Sequence, residues 1–306
     1  MAANLLSRSA SALAAHARFL QIKLALFMLA GKGDTLSFRR GGTYWHAPVR
    51  DRYITPALLA GGGYQQAELD GLVRWLRWRG LLSGPGSVIV DVGANIGTSS
   101  IPLARATGLS VLAVEPAPDN LALLRRNVDD NGLSGRVVCI QAAIATRRGD
   151  VCLALDPTNC GGHEIDDFLD PAISVRPSGR SEIAVPAMPL ETIVERGGSS
   201  PDRVALVWSD TQGCEQQVIE TGARLWKAGV PLFIEVWPAG LRRHGGVAGL
   251  LGAADRHFRA VVMADDLRTR GPWAVERPLT ALASVIPRLR GALGATNALL
   301  LPRQSR

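Results

Sequence analysis

Side chains that can bind a charged or polar ligand follow the most apolar run of this sequence. The run, 88–92, consists of valine and isoleucine broken only by Asp91, which is typical of a strand buried on both faces. Gly93, Asn95 and Gly97 come next, and these residue types tolerate a sharp bend and a positive φ. The pattern predicts a strand, a tight turn and a helix start, whose unpaired N–H groups would favour an anionic group of a ligand.

A carboxylate ends the next predicted strand. Residues 110–114 form a second apolar run, and Glu115 follows it. In a doubly wound sheet an acidic side chain at this place accepts hydrogen bonds from the hydroxyl groups of a ribose, so the two strands together predict a nucleoside ligand. A dinucleotide fingerprint has a glycine in the middle of its turn, where this sequence has Asn95. A nicotinamide dinucleotide therefore fits the turn poorly.

Three motifs in this order resemble those of the FkbM family of class I S-adenosylmethionine-dependent methyltransferases. They are VDVGANIG at 90–97, VEPAPDN at 114–120 and WSDTQGCE at 208–215. The resemblance extends over most of the chain, roughly 35–303. It implies an α/β fold with a doubly wound, mostly parallel, seven-stranded Rossmann-like methyltransferase sheet and an N-terminal helix and hairpin extension. It also implies S-adenosylmethionine as the cofactor.

The resemblance further implies which residues hold this cofactor. These residues come from three places: the turn, the strand end that binds the ribose, and a pair of small residues that leaves room for the adenine ring. They are Asp91, Gly93, Ala94, Asn95, Gly97, Thr98, Glu115, Pro116, Ala142 and Ala143.

The acceptor of the methyl group is expected on the other side of the central strand. Asp210 follows the predicted fourth strand, and ligands of open α/β sheets bind at such carboxyl ends. A hydroxyl group has a high pKa, so its methylation calls for a nearby proton acceptor, for which Asp210 comes first, His163 second and Glu235 third. The segment 159–162 resembles an N-x-G-G segment of FkbM-type sequences, which implies a loop on the acceptor side. With the ends of two strands, this loop gives the residues predicted to bind the acceptor, namely Asn159, Gly161, Gly162, Gln212, Glu215 and Trp237.

Length and composition favour one large α/β domain. With 306 residues, 47% of them hydrophobic, the chain can bury a full core. The predicted division is 1–82 for an N-terminal helix, hairpin and lead-in helix, and 83–306 for the methyltransferase domain. The net charge of +7 is not concentrated in a basic run interleaved with aromatic residues, so no nucleic-acid partner is expected. Four cysteines without a C-x-x-C pair indicate reduced thiols and a cytoplasmic protein, and no metal site is predicted.

The segment 9–30 is amphipathic. Its longest uninterrupted apolar run, 24–30, is far shorter than the roughly 20 residues that span a bilayer, and no clear cleavage site of a signal peptide follows it. Packing on the domain, pairing with a second copy of the chain in a homo-oligomer, and contact with a membrane surface are the alternatives for this segment.

The sequence thus predicts an S-adenosylmethionine-dependent O-methyltransferase that acts on a hydroxyl of a sugar, a glycolipid or a natural product. Its partner would be a small-molecule or saccharide acceptor. Two alternatives from other classes are a nicotinamide-dependent oxidoreductase on a similar sheet and a non-catalytic nucleotide-binding or assembly protein. Asn95 disfavours the first, and the polar groups at three successive strand ends disfavour the second.

Overall fold

The central strand of the main sheet, β3 (Val88–Val92), is buried along its whole length. It lies between β4 (Ser110–Val114) and β10 (Val204–Ser209), and both neighbours run parallel to it. A strand covered on both faces requires apolar side chains in both directions, and the run at 88–92 supplies them. The prediction of a buried central strand is confirmed. The computed structural model describes residues 19–25, 34–61, 65–82, 86–168, 180–289 and 294–303.

The main sheet has the strand order β13-β12-β14-β11-β10-β3-β4-β5. Its other members are β5 (Val137–Ile140), β11 (Leu232–Val236), β12 (Phe258–Met263), β13 (Arg277–Pro278) and β14 (Thr296–Pro302). Five adjacent strands of this sheet run parallel, in the order β11, β10, β3, β4 and β5. The strand β14 lies between β11 and β12 and is antiparallel to both. This is the predicted seven-stranded arrangement, with the two-residue β13 added at one edge.

Helices cover both faces of this sheet, and each face has its own apolar cluster. The helix α3 (Gln66–Trp78) is the predicted lead-in helix before β3, and its apolar stripe is buried in the first cluster. Crossover helices join the parallel strands, as a doubly wound sheet requires. The remaining helices are α4 (Ser100–Thr107), α5 (Pro118–Asp130), α6 (Leu190–Arg196), α7 (Glu215–Glu220), α8 (Ala223–Lys227), α9 (Pro238–Leu241), α10 (Gly246–His257), α11 (Ala264–Arg270) and α12 (Thr280–Val285).

A second sheet lies between β5 and β10 in the sequence. Its strands are β6 (Ala143–Ile144), β7 (Gly149–Ala154), β8 (Glu164–Phe168) and β9 (Glu182–Met188), in the order β6-β9-β7-β8. It has a small apolar cluster of its own, to which Val151, Leu153 and Val185 belong. The sequence has strand-like runs at 151–155 and 181–185, which correspond to β7 and β9, and the structure pairs these two strands and adds β6 and β8.

An N-terminal hairpin packs on α5. Its strands β1 (Thr35–Arg40) and β2 (Thr43–Pro48) are antiparallel, as predicted, and the short helix α2 (Ile54–Ala60) follows. The segment 9–30 is described only at 19–25, where it is helical (α1), so the proposed roles of its other residues lie outside the described part. No helix in the described part of the chain combines the length and apolar character needed to cross a bilayer.

The hairpin is fastened to the ligand-binding side of the sheet through Asn127 of α5. Its side chain accepts the N–H of His46 at 2.6 Å and donates to the carbonyl groups of His46 (3.1 Å) and Ile96 (2.8 Å). Ile96 belongs to the turn after β3. One fully buried amide therefore connects the hairpin, α5 and this turn.

Replacing Asn127 with alanine should lower the free energy of unfolding by about 1–3 kcal/mol for each backbone group that it leaves unsatisfied in the interior. The matched control is Asn131→Ala, because Asn131 makes the same pair of bonds to Tyr44 of the hairpin at the protein surface, where water can replace them. Urea unfolding of the two variants measures the difference. Equal losses would contradict the role of burial at Asn127.

Candidate functional site

A cleft of about 790 Å³, partly open to solvent, lies at the carboxyl ends of β3, β4 and β10. Of the residues predicted for the site, those that line it are Gly93, Asn95, Thr98, Glu115, Pro116, Ala142, Ala143, Gly161, His163, Asp210 and Gln212. The structure thus brings together residues from five separate stretches of the sequence.

The turn after β3 has the predicted shape. Asn95 adopts a left-handed conformation with φ 51°, and Gly93 has φ 84°. A side chain on Gly93 would collide with the backbone of the loop after β10, because an added Cβ would lie 1.9 Å from the carbonyl oxygen of Asp210. Gly93 therefore permits close contact between two ligand-binding loops.

The prediction that this turn offers unpaired N–H groups is wrong. The N–H groups of Gly93 and Ala94 both donate to the carbonyl of Val114, and that of Gly97 donates to Ala94. Asn95 donates its N–H to Glu115, and the Ile96 N–H is bonded to the Asn95 side chain. The protein itself therefore satisfies all five N–H groups of residues 93–97. An anionic ligand group at this turn would have to use donors from Thr98 onward.

Glu115 lies in the centre of a hydrogen-bond network at the end of β4. One carboxylate oxygen accepts the Asn95 N–H at 2.8 Å, and the other accepts the Ala117 N–H at 3.0 Å and the Asn120 amide at 3.3 Å. Burial raises the pKa of Glu115 to about 7, although these hydrogen bonds act in the opposite direction. The carboxylate is thus held in a fixed orientation at the cleft and retains lone pairs for further donors.

The loop 159–162 closes over this network. The carbonyl oxygen of Cys160 accepts the side-chain amides of Asn95 (2.7 Å) and Asn120 (2.8 Å). Cys160 and Gly161 line the cleft, as does Ile54 of α2, whereas the predicted Asn159 lines a neighbouring groove and Gly162 is buried outside the cleft. The loop is therefore bonded directly to the predicted cofactor turn. None of the four cysteines forms a disulfide in the described part of the chain; Cys139 is partly exposed and the other three are buried.

His163 lines the cleft, but its hydrogen bonding does not suit a general base. Its Nδ1 atom accepts the N–H of Asp156 at 3.0 Å, so the neutral ring carries its proton on Nε2. Burial lowers the pKa of His163, which favours this neutral form. The ring therefore offers a hydrogen-bond donor on Nε2 and no free nitrogen that could accept a proton. This arrangement argues against His163 as the second candidate for the general base.

Asp210 faces the cleft from the end of β10. Its carboxylate accepts the side-chain amides of Gln212 at 2.7 Å and Gln65 at 3.4 Å. Burial raises the pKa of Asp210, while the bond from Gln212 lowers it. Gln65 was not predicted from the sequence, because nothing in the pattern at the start of α3 indicates a contact with a residue 145 positions away.

Several predicted site residues lie behind the cleft surface. Glu215 accepts the N–H and hydroxyl groups of Thr211 at 3.0 and 2.8 Å and is almost fully buried, so it supports the loop that carries Asp210. Asp91 accepts the hydroxyl groups of Ser99 and Ser100 and fixes the start of α4. The others outside the cleft lining are Ala94, Gly97, Glu235 and Trp237.

One wall of the cleft is apolar beyond the two predicted alanines. The second sheet contributes Ile144, Leu153 and Ile165, which stand next to Ala142 and Ala143 in the lining. A flat ring fits between such small and aliphatic side chains. The sequence pointed to the alanines through their position after the third strand, but the contribution of the second sheet depends on pairings that are distant in the sequence.

Most of the ionisable groups in and directly behind this site are carboxyls. Burial raises the pKa of Asp91 to about 6 and that of Glu215 to about 7, and both carboxyls lie close to Asp210. Within the described part of the chain, no arginine or lysine lines the cleft. A cationic ligand would therefore be favoured here over an anionic one. Among the described residues there is also no group of three or more histidine, cysteine, aspartate or glutamate side chains that could hold a metal ion.

One family model matches the middle of the chain, which contributes most of the residues that line the cleft. Residues 91–240 match the model of the methyltransferase FkbM domain. No curated protein matches the sequence. The matched residues run from the central strand to α9, so they contain Glu115 and Asp210 but neither the hairpin nor Gln65.

Solved structures resemble the chain at low identity. Geranyl diphosphate C-methyltransferase from Streptomyces coelicolor is 12% identical, with a TM-score of 0.42 over 83% of this chain and 82% of that one. TYW2 from Pyrococcus horikoshii is 12% identical, with a TM-score of 0.42 over 89% and 72%. The tRNA (uracil-54, C5)-methyltransferase of Pyrococcus abyssi is 12% identical, with a TM-score of 0.39 over 89% and 45%. These values bear on neither substrate nor mechanism.

Proposed function

Because the chain carries a methyltransferase FkbM domain at residues 91–240, we propose that it transfers the methyl group of S-adenosylmethionine to a hydroxyl oxygen. The acceptor would be a sugar, a glycolipid or a natural product. The observation that carries the proposal is the charge of the cleft. The carboxyl groups of Glu115 and Asp210 line the cleft from the two strands on either side of β3, and no basic side chain lines the cleft in the described residues.

S-adenosylmethionine suits this charge because it carries a sulfonium and an ammonium group. A nicotinamide dinucleotide carries an anionic pyrophosphate, for which the turn after β3 has no N–H group to spare at residues 93–97. The geometry therefore supports the methyl donor and disfavours the oxidoreductase alternative.

In this proposal one side of the cleft binds the cofactor and the other side binds the acceptor. Glu115 would accept the ribose hydroxyls, and Ala142, Ala143 and Leu153 would contact the adenine. Asp210 lies across the central strand from Glu115, next to Gln65 and Gln212. This leaves Asp210 near the reacting groups, where it can take the proton of the acceptor hydroxyl.

In the reaction the bound cofactor supplies an electrophilic methyl carbon. The protein holds the acceptor oxygen in line with it, and this positioning accounts for much of the rate. Asp210 accepts the hydroxyl proton as the bond to carbon forms. The apolar wall and the loop that contains Cys160 line the cleft beside these groups.

Calorimetric titration with S-adenosylmethionine, S-adenosylhomocysteine and NAD tests this function. We expect the first two to bind and NAD not to bind. The Glu115→Gln variant should bind S-adenosylhomocysteine about 1–3 kcal/mol more weakly, which is the range for a lost charge-assisted hydrogen bond. For the wild type the affinity should fall as the pH drops below about 7, because protonation removes an acceptor of the ribose hydroxyls.

Glu276→Gln serves as the control, since Glu276 pairs with Arg79 and Arg259 away from the cleft. NAD binding with no response to S-adenosylhomocysteine would refute the methyltransferase proposal. Unchanged affinity in a folded Glu115→Gln variant would remove Glu115 from the ribose site.

A further inference from the structure

The ends of two adjacent parallel strands place Asp210 and Glu235 side by side. In the register of β10 and β11, Ser209 is the partner of Ile234, and Asp210 and Glu235 are the next residues on each strand. Neighbouring strands lie about 4.8 Å apart, and residues at the same level of a parallel sheet point to the same face. Sheet geometry thus brings the two carboxyl groups together.

One amide group connects the two carboxyls. The Nε2 atom of Gln212 donates to Oδ1 of Asp210 at 2.7 Å and to Oε2 of Glu235 at 3.0 Å. Both oxygens are bonded to the same nitrogen, so they lie within the roughly 4–6 Å over which one carboxylate affects the ionisation of another. Gln65 donates to the second oxygen of Asp210 at 3.4 Å.

The two glutamines are held in an unusual backbone conformation. Gln65 and Gln212 both have φ 55°, and with Asn95 they are the non-glycine residues of positive φ in the described part of the chain. All three line the cleft. A positive φ is rare in residues other than glycine. Residues that adopt it concentrate at functional sites, where the surrounding structure holds the strained backbone in place. The strain therefore coincides with the amides that hold Asp210.

Further acidic groups face this pair. Asp91 comes from β3 and Glu215 from the start of α7, while Glu68 of α3 and Asp265 of α11 line a small pocket together with Glu235. Asp210 and Glu235 take part in none of the ion pairs formed among the described residues. Two half-buried carboxyls this close without a cation do not both ionise readily near neutral pH.

We propose that Asp210 and Glu235 hold a single proton between them and that Glu235 is its carrier. Asp210 is then the one carboxylate of the pair that can accept a proton from the methyl acceptor. Burial raises the pKa of Glu235 well above its usual range, and the neighbouring Asp210 raises it further, whereas the bond from Glu235 lowers the pKa of Asp210. The assignment of the reacting carboxylate rests on the proposed function.

The proton balance of the step follows from this arrangement. The acceptor oxygen forms its bond to the methyl carbon, the bond from carbon to sulfur breaks, and its electron pair stays on sulfur as a neutral thioether. The hydroxyl proton moves to Asp210, while Glu235 keeps the proton it already has. Gln212 and Gln65 are positioning residues that hold the Asp210 carboxylate by its two oxygens.

Urea unfolding between pH 5 and 8 tests the shared proton without any cofactor or acceptor. A raised pKa in the folded state stabilises the protein at low pH, and this contribution is lost as the pH rises toward the folded pKa. Glutamine cannot titrate but supplies an N–H toward Asp210. The folding equilibrium constant of Glu235→Gln, divided by that of the wild type, should therefore increase by up to about tenfold for each unit by which the pH rises.

The variants Asp210→Asn and Asp210→Asn/Glu235→Gln complete a double-mutant cycle with Glu235→Gln and the wild type. If Glu235→Gln does not fold, Glu235→Met is a second variant that cannot titrate at this position. The double variant should follow the pH profile of Glu235→Gln. Parallel profiles for the wild type and both Glu235 variants would overturn the proposal, because Glu235 would then be ionised in the folded protein. Loss of the pH dependence in Asp210→Asn with its retention in Glu235→Gln would place the proton on Asp210 and also overturn it.

The outcome is separable from that of the proposed function. A protein that binds no S-adenosylmethionine but shows the predicted unfolding profiles would retain the shared proton and lose the methyltransferase assignment. The reverse result would retain the methyltransferase and refute the proton pair.

Discussion

Replacing Asp210 with asparagine should lower methyl-transfer turnover by about 100-fold or more while the affinity for S-adenosylhomocysteine stays close to that of the wild type. Asparagine keeps the size of the side chain but cannot take the proton of an acceptor hydroxyl. Turnover is measured as S-adenosylhomocysteine released across a panel of monosaccharides, glycolipids and hydroxylated natural products, and affinity is measured by calorimetry.

Asp202→Asn is the control for this substitution, since Asp202 is an exposed carboxylate next to the start of β10. A parallel loss of turnover and affinity in Asp210→Asn would make Asp210 a cofactor ligand or a support of its loop. Unchanged turnover would assign proton transfer to another group.

Replacing Gly93 with alanine should abolish the binding of S-adenosylhomocysteine and destabilise the fold. The left-handed conformation alone costs an alanine about 1–2 kcal/mol. The added Cβ would also lie 1.9 Å from the carbonyl oxygen of Asp210, so the loop after β10 would have to move away from the turn. Calorimetry and urea unfolding measure the two effects.

Gly108→Ala separates strain from collision. Gly108 has φ 77°, close to the 84° of Gly93, but a Cβ at Gly108 would meet nothing within 4 Å. This variant should lose stability by the conformational term alone and should bind S-adenosylhomocysteine normally. If Gly93→Ala behaved no worse than Gly108→Ala, the close contact between turn and loop would be unimportant for the site.

The sequence was sufficient to predict the parts of this site that follow from local patterns. A buried strand requires a continuous apolar run, and the residues that end such strands meet at one edge of the sheet, so Glu115 and Asp210 could be placed there before their surroundings were known. The positive φ of Asn95 was also predictable, because few other residue types tolerate it.

Features that depend on contacts between distant residues could not be predicted in this way. The sequence suggested that the turn after β3 leaves its N–H groups to a ligand, whereas Val114 and Glu115 accept several of them. The sequence suggested Gly93 as a residue that tolerates the bend, whereas the atoms nearest to an added Cβ belong to Asp210. The tautomer of His163 likewise depends on the N–H of Asp156, which no spacing rule connects with it.

The second sheet has a consequence for how acceptor choice can diversify in such chains. Its first and last strands pair with each other, Ala143 with Ala187 and Ile144 with Met188, so the segment leaves and re-enters the main domain at one point. An inserted segment whose two ends are paired with each other can change in length or sequence without shifting the register of the main sheet. Its fixed link to the cofactor turn is the Cys160 carbonyl, held by Asn95 and Asn120. The topology thus allows the second sheet to change while the strand ends that carry Glu115 and Asp210 keep their positions in the main sheet.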